Sequence, residues 1–214
     1  MASLALDQGL KVLDRHARIA RWFLIAFMIV SLLTIFVSFG EVAGSIDLNR
    51  QELSPTDMVG GLIYAVYALV LFVSILWVCI WIYRAHANLR AVGFEGLTYS
   101  PGWAVGWYFI PFANLFKPYE AMQELWATST AGSAEEGTDG HLGRWWAAWI
   151  VGNILTNIGV RTESMGNGDL APVGHAVDAL GTVILIGSAW LLARIVQKVT
   201  AAQDSLLSVA GVFD

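Results

Sequence analysis

Cysteine, proline and charge are what this chain of 214 residues has least of. Its single cysteine, Cys79, excludes an intramolecular disulfide, and with it any cysteine-built zinc finger or CxxC redox pair. Charged residues make up 14%, against about 25% in an ordinary soluble domain. The 12 basic residues are outnumbered by 17 acidic ones, and a net charge of -5 argues against nucleic acid as a partner. No Gly-rich phosphate loop, HExxH pair or GxSxG elbow occurs. No catalytic residue, cofactor or metal ligand is therefore assigned. What the chain has in abundance is apolar surface: 57% hydrophobic residues, including ten tryptophans, and a mean hydropathy of +0.61. Lipid is the solvent that such a composition suits.

A helix needs roughly 20 apolar residues to cross the hydrocarbon layer. Residues 22–39 and 59–83 are uncharged and meet that demand. Residues 142–160 carry only Arg144 near the start, and residues 173–196 carry Asp178 and Arg194 towards the two ends. The expected fold is an all-α membrane domain with four transmembrane helices. Residues 1–20 place Leu6, Leu10, Leu13 and Ala17 at helical spacing with charges between them, as in a helix on the membrane surface. The long charged leader and the absence of a small-residue cleavage site make residues 22–39 a retained span, not a secretory signal. Residues 97–116 are uncharged but contain Pro101, Gly102, Gly106 and Pro111, so a re-entrant or interfacial hairpin is expected there, with a broken fifth span as the rival. A tail follows at 201–214. No internal repeat or second domain is visible.

Charge bias orients the chain. With four spans, Arg50 and Arg161 stand alone on one side and all other Lys and Arg on the opposite one. The positive-inside rule makes that crowded side cytoplasmic, with both termini there. The tryptophans collect on the same side, a belt at headgroup level. The expected location is a membrane crossed several times, and the expected partners are membrane lipids together with a membrane protein or a second copy of the chain.

The most distinctive stretch reads RAHANLRAVG from Arg84, then SPGWAVGWYFIPFANLFKPYEAMQELW from Ser100. It resembles an uncharacterised bacterial family of multi-pass membrane proteins, known only as a domain of unknown function. The resemblance is densest from Tyr83 to Trp149. It implies a bacterial inner-membrane protein and brings no catalytic residues.

Two polar groupings stand out. The first, cytoplasmic, comprises His86, Asn88, Arg90, Asn114, Lys117, Tyr119, Glu120 and Glu124. His86 and Arg90 share a helical face, as do Glu120 and Glu124 beyond Pro118, so Arg90–Glu124 or His86–Glu120 pairs are expected. The grouping reads as a clamp that seats the hairpin, with a proton relay or lipid-phosphate site as the alternative. The second lies within the outer half of the bilayer: Tyr64, Tyr67, Asn153, Thr156, Asn157, His175 and Asp178, with Thr34 and Ser38 at comparable depth. An ionisable residue within a span is a functional candidate by default. Asp178 is the candidate proton or cation ligand, with Asn157 or a tyrosine as its partner, and helix-to-helix bonding is the plainer alternative. The leading expectation is a non-catalytic scaffold or subunit of a membrane complex. A small transporter or channel built on Asp178 comes second, and a lipid-modifying enzyme third.

Overall fold

The computed structural model describes residues 2–48, 50–94, 96–131, 140–165 and 169–210. The loop expected between Thr128 and His141, the turn at Arg161 to Ala171 and the tail at Ala201 to Asp214 fall partly outside the described residues, at 132–139, 166–168 and 211–214. All regular structure among the described residues is helical: α1 (Ala2–Val42), α2 (Pro55–Ala91), α3 (Pro101–Gly106), α4 (Lys117–Thr130), α5 (Gly140–Glu163) and α6 (Ala171–Ala210). Two 3-10 turns, Trp107–Phe109 and Ala113–Leu115, separate α3 from α4.

Local chemistry sets the boundaries. α1 runs unbroken from the amphipathic leader through the first apolar run, so these form one helix. It stops at Gly44, whose φ of 69° lets the amides of Ser45 and Ile46 turn back onto the Gly40 carbonyl. α2 opens with a reciprocal cap: the Ser54 hydroxyl accepts from the Asp57 amide at 3.2 Å, and the Asp57 carboxylate accepts from the Ser54 amide at 2.8 Å. Pro55 stands in the first turn, where its missing N–H costs nothing. α2 continues to Ala91, past the expected limit at Tyr83. Ser100 caps α3 ahead of Pro101. No helix between 97 and 116 exceeds six residues, about 9 Å of rise.

Among the described residues, three helices are long and apolar enough to cross a membrane: Gln8–Val42, Pro55–Ala91 and Ala171–Leu206, with mean hydropathies of 2.5, 2.6 and 1.9 over their best windows. α5, with 24 residues, does not reach the same apolarity.

The chain divides into two compact units. The first comprises Met1–Trp22, Ile75–Arg144 and Leu191–Asp214. Its core is large and apolar. Leu13, Ala17 and Ala20 come from α1; Trp81, Ile82, Ala85 and Leu89 from α2; Ala121, Met122, Leu125 and Trp126 from α4; and Ile195, Val196 and Val199 from α6. Each set recurs at three- and four-residue steps, the stripe one helix face buries.

The second unit comprises Phe23–Ser74 and Trp145–Trp190. Its interior is small and hydroxyl-rich: Ser31, Thr34, Ser38, Ser74, Thr182 and Ser188 are all buried. The Ser74 hydroxyl donates to the Phe23 carbonyl of α1, and Ser188 to the Trp145 carbonyl of α5. α5 and α6 approach through Gly152 and Gly159 on one helix and Gly174 and Gly181 on the other. A Cβ on Gly159 would stand 2.6 Å from the Asp178 amide, and one on Gly181 would stand 2.8 Å from the Thr156 amide. Small residues that let backbones meet are how helices associate without a hydrophobic driving force. Leu24, Phe27, Val37, Trp145 and Trp146 are buried in this unit as well, and many other large side chains face outwards, among them Phe36 and Phe39 on α1, Leu62, Leu69 and Phe72 on α2, and Ile154 and Ile158 on α5.

Candidate functional site

The first unit holds the clamp residues. Glu124, one turn beyond Glu120 on α4, accepts from the backbone amides of Thr98 at 2.6 Å and Tyr99 at 3.0 Å. Glu120 accepts from the Tyr99 hydroxyl and, at 2.6 Å, from the Lys117 ammonium. The Lys117 partner first, then the Tyr99 hydroxyl, holds the Glu120 carboxyl below the usual range. Arg90 donates to the Leu97 carbonyl at 3.1 Å. The expected Arg90–Glu124 and His86–Glu120 pairs are not formed: backbone groups at 97–99 take Arg90 and Glu124, Glu120 meets the Tyr99 hydroxyl and Lys117, and His86 bonds the Ile82 carbonyl. The segment before α3 presents unsatisfied N–H and C=O groups, and a backbone bond there satisfies more than a side-chain ion pair would.

His86 is fully buried and donates from Nδ1 to the Ile82 carbonyl at 2.9 Å, while Nε2 faces the Ala121 backbone at a geometry too poor for a full bond. Asn88 reaches the Gly9 carbonyl of α1 at 3.4 Å. Tyr119 accepts from Gln123 at 3.1 Å, and Asn114 sits in the second 3-10 turn, its amide bonded to the Ile110 carbonyl. Two residues escaped the sequence reading. Gln203, buried on α6, donates to the Ala85 carbonyl of α2 and the Ser129 hydroxyl of α4. His16, expected in a polar surface segment and assigned no role, is instead buried with its ring 5.6 Å from that of Trp77. Gln203 continues the 196, 199 register of α6, a signal that was present in the spacing.

The second unit gathers a different set of groups at one end of its helices. His175 lies in the second turn of α6. Its Nδ1 stands 2.9 Å from the Ser38 hydroxyl of α1, 3.3 Å from a Glu163 oxygen of α5 and 4.0 Å from a Glu41 oxygen of α1. The Tyr64 hydroxyl of α2 donates to that same Glu41 oxygen at 2.9 Å. Asp178, one turn further along α6, packs on the bare backbone of Gly159, within electrostatic reach of Tyr64, Tyr67 and Glu163. Burial pushes the Glu163 carboxyl up; the charges of Asp178 and Glu41 add to that and His175 opposes it.

Asn153, Thr156 and Asn157 do not join this group. They bond to carbonyls of their own helix, at Trp149 and Asn153. The partnership expected between Asp178 and Asn157 is thus replaced by contact with Gly159. Glu41 and Glu163 are the members that sequence reasoning missed, because both were placed in loops. α1 and α5 continue far enough to carry them inward. Among the described residues no group of three His, Cys, Asp or Glu side chains is arranged to hold a metal ion.

Helices alone, three of them long and apolar enough to cross a bilayer, and polar groups gathered at helix ends define a helical protein of membrane type. The chain belongs to the family described as Domain of unknown function (DUF4328), whose model matches residues 44–201. That match extends well beyond the Tyr83 to Trp149 stretch on both sides. Neither the curated proteins nor the solved structures provide a match.

Proposed function

We propose that the protein is a bacterial inner-membrane protein that crosses the bilayer four times, keeps both termini in the cytoplasm and serves as a non-catalytic subunit of a membrane complex. The sorting of side chains in the second unit carries this reading. Between the helix ends, residues 23–40, 58–74 and 145–160 hold no charged side chain, and residues 170–190 hold only Asp178. Many large apolar side chains of these segments face out, Phe36, Leu62, Phe72 and Ile154 among them, while Ser31, Thr34, Ser38 and Ser74 face in beside Leu24, Phe27, Trp145 and Trp146. α5 is the fourth crossing: its uncharged part gives about 24 Å of rise, close to the hydrocarbon thickness. It packs on α6 through glycines and turns Val151, Ile154 and Ile158 outwards.

The hairpin dips into the membrane from the cytoplasmic side. Phe109 and Phe112 are 70% and 83% exposed, with Trp103 and Phe116 also exposed, a cost in water that lipid removes. Phe112 holds a φ of 63°, a conformation rare for a bulky residue, which keeps that tip outward. The subunit role follows from where the clamp side chains are directed. Glu120, Glu124 and Arg90 are engaged with their own chain, so this conspicuous region shapes a surface and leaves no nucleophile–base pair.

Single-cysteine labelling on a Cys79→Ser background tests the threading. Gly137→Cys should react only from the cytoplasm and Gly168→Cys only from outside; reaction of both from one face removes it. Purification in mild detergent tests the role, where a stoichiometric partner or second copy is expected and a lone monomer counts against it.

A second reading, a small proton or cation transporter, is favoured by one observation: His175 stands between Glu163 and Glu41 with Asp178 beside them. Asp178→Asn should then abolish ion flux in liposomes while leaving the protein folded. Flux that is unchanged by Asp178→Asn ends that reading.

A further inference from the structure

The cytoplasmic polar clamp and the cluster around His175 leave one feature unused, an open cleft of about 790 Å³ in the first unit between the early part of α1 and the late part of α6. Its walls carry Lys11, Arg15, Arg18 and Arg21 from α1, opposed by Asp14 on the same helix and Asp204 on α6. Four cations against two carboxylates is a concentration of positive charge unlike the chain as a whole, which is acidic. Asp14 is engaged by Arg18, its neighbour one turn on. Arg15 and Arg21 form no ion pair among the described residues. Leu13 and Ala20 of α1 do not line the cleft and are buried in the unit, and Ala17, also buried, lies on the cleft wall, so packing behind the helix holds the cationic row towards the cleft.

We propose that this cleft binds the phosphate of an anionic membrane lipid. Depth selects a lipid over a dissolved anion. Arg21 directly precedes Trp22, the exposed residue that opens the uncharged run of α1. Arg18 lies about 6 Å from Trp22 along the helix axis and Lys11 about 16 Å. The headgroup layer on each side of the hydrocarbon is about 5–8 Å thick. Arg18 and Arg21 therefore stand at phosphate depth, while Lys11 and Asp204 reach into water. Trp22, next in line, offers apolar surface to the acyl chains below the phosphate. Thr200 contributes little to the ligand, since its hydroxyl accepts from Trp81 and donates to the Val196 carbonyl. Recognition is thus by charge, in the manner of basic pockets at the cytoplasmic membrane face. The depth argument rests on the four-crossing threading, whereas the cleft and its charges do not.

Binding is measured on the full chain in a zwitterionic detergent, so that it does not depend on topology. Phosphatidylglycerol, phosphatidylcholine and inorganic phosphate are titrated separately, with bound lipid counted by native mass spectrometry. Phosphatidylglycerol should bind the native chain in preference to phosphatidylcholine. The Arg18→Gln/Arg21→Gln double variant should bind it about 30-fold more weakly, from the worth of two basic residues near an anionic headgroup. Removing the same charge elsewhere, with Arg84→Gln and Arg161→Gln, should leave binding unchanged. The proposal is overturned if both lipids bind equally or if the double variant binds as the native chain does. It is also overturned if inorganic phosphate binds as tightly as phosphatidylglycerol, which would assign the cleft to a soluble anion. The cysteine-labelling result stands apart from all of these, so failure of the threading and failure of the cleft are told apart.

Discussion

The two units of this chain are sorted in opposite ways. In the first, Trp81, Leu89, Leu125 and Ile195 fill the interior, and Arg15, Arg18, Arg84, Arg90 and Arg194 stand at the surface. In the second, buried serines and threonines share the interior with Leu24, Phe27, Val37, Trp145 and Trp146, and Phe36, Phe72, Leu62 and Ile154 stand at the surface. The hydrophobic effect drives the first arrangement, because burying apolar area removes it from water. It does not act between helices already in hydrocarbon, where close backbone approach and hydrogen bonds take over. The polar groupings follow the same division. In the clamp, Glu124 meets backbone amides and Glu120 a hydroxyl and an ammonium, whereas the carboxylates of the four-helix cluster meet a histidine, a tyrosine and one another.

The sharpest way to break this comparison is to make matched truncations in the two interiors. Leu125→Ala in the first unit should cost about 3 kcal/mol, the usual loss for a buried leucine, measured by unfolding in mild detergent. Ser31→Ala in the second should change stability by less than about 0.5 kcal/mol, since its buried hydroxyl has no hydrogen-bond partner. Equal losses would mean that the two interiors are held together alike. Gly159→Leu should cost about 2 kcal/mol by forcing α5 away from Asp178, and it should scatter the His175 cluster. A folded variant with unchanged stability would show that this close approach carries no weight.

Glu124→Ala should cost about 1.5 kcal/mol, because the amides of Thr98 and Tyr99 lose a charged acceptor. Faster proteolysis between Leu97 and Phe116 would locate the damage at the hairpin. The smallest effect concerns pH. A carboxyl raised in the folded state binds its proton more tightly there than when unfolded. Glu163 therefore subtracts stability as pH rises from the ordinary glutamate range towards its raised value. Glu163→Gln should flatten that decline in the thermal midpoint while leaving the midpoint at low pH nearly unchanged. A decline that persists in Glu163→Gln would assign the pH dependence to other groups.

Much of this was legible in the chain itself. Apolar runs of helical length, with few or no charges, predict α1, α2, α5 and α6, and Pro101, Gly106 and Pro111 predict that 97–116 forms no long helix. The partners of the polar residues were harder to read. Helical spacing placed Glu120 with Glu124 and His86 with Arg90 on shared faces, but it could not show that the backbone at 97–99 would reach Arg90 and Glu124 first. Glu41 and Glu163 were assigned to loops because the last turn of a helix has no apolar pattern to mark it. The glycines at 152, 159, 174 and 181 recur at seven-residue steps, yet one helix's spacing does not reveal which helix it meets.

The amino-acid sequence by itself determined the solvent, the helices and the breaks between them, since these follow from the hydropathy and backbone preferences of consecutive residues. The tertiary structure decided which carboxylate meets which donor, that His175 gathers Ser38, Glu41 and Glu163, and that four basic residues of α1 share a cleft with α6. Such groupings depend on how separate helices are rotated and set against each other. That is fixed by close packing between residues far apart in the chain, a property no local stretch contains.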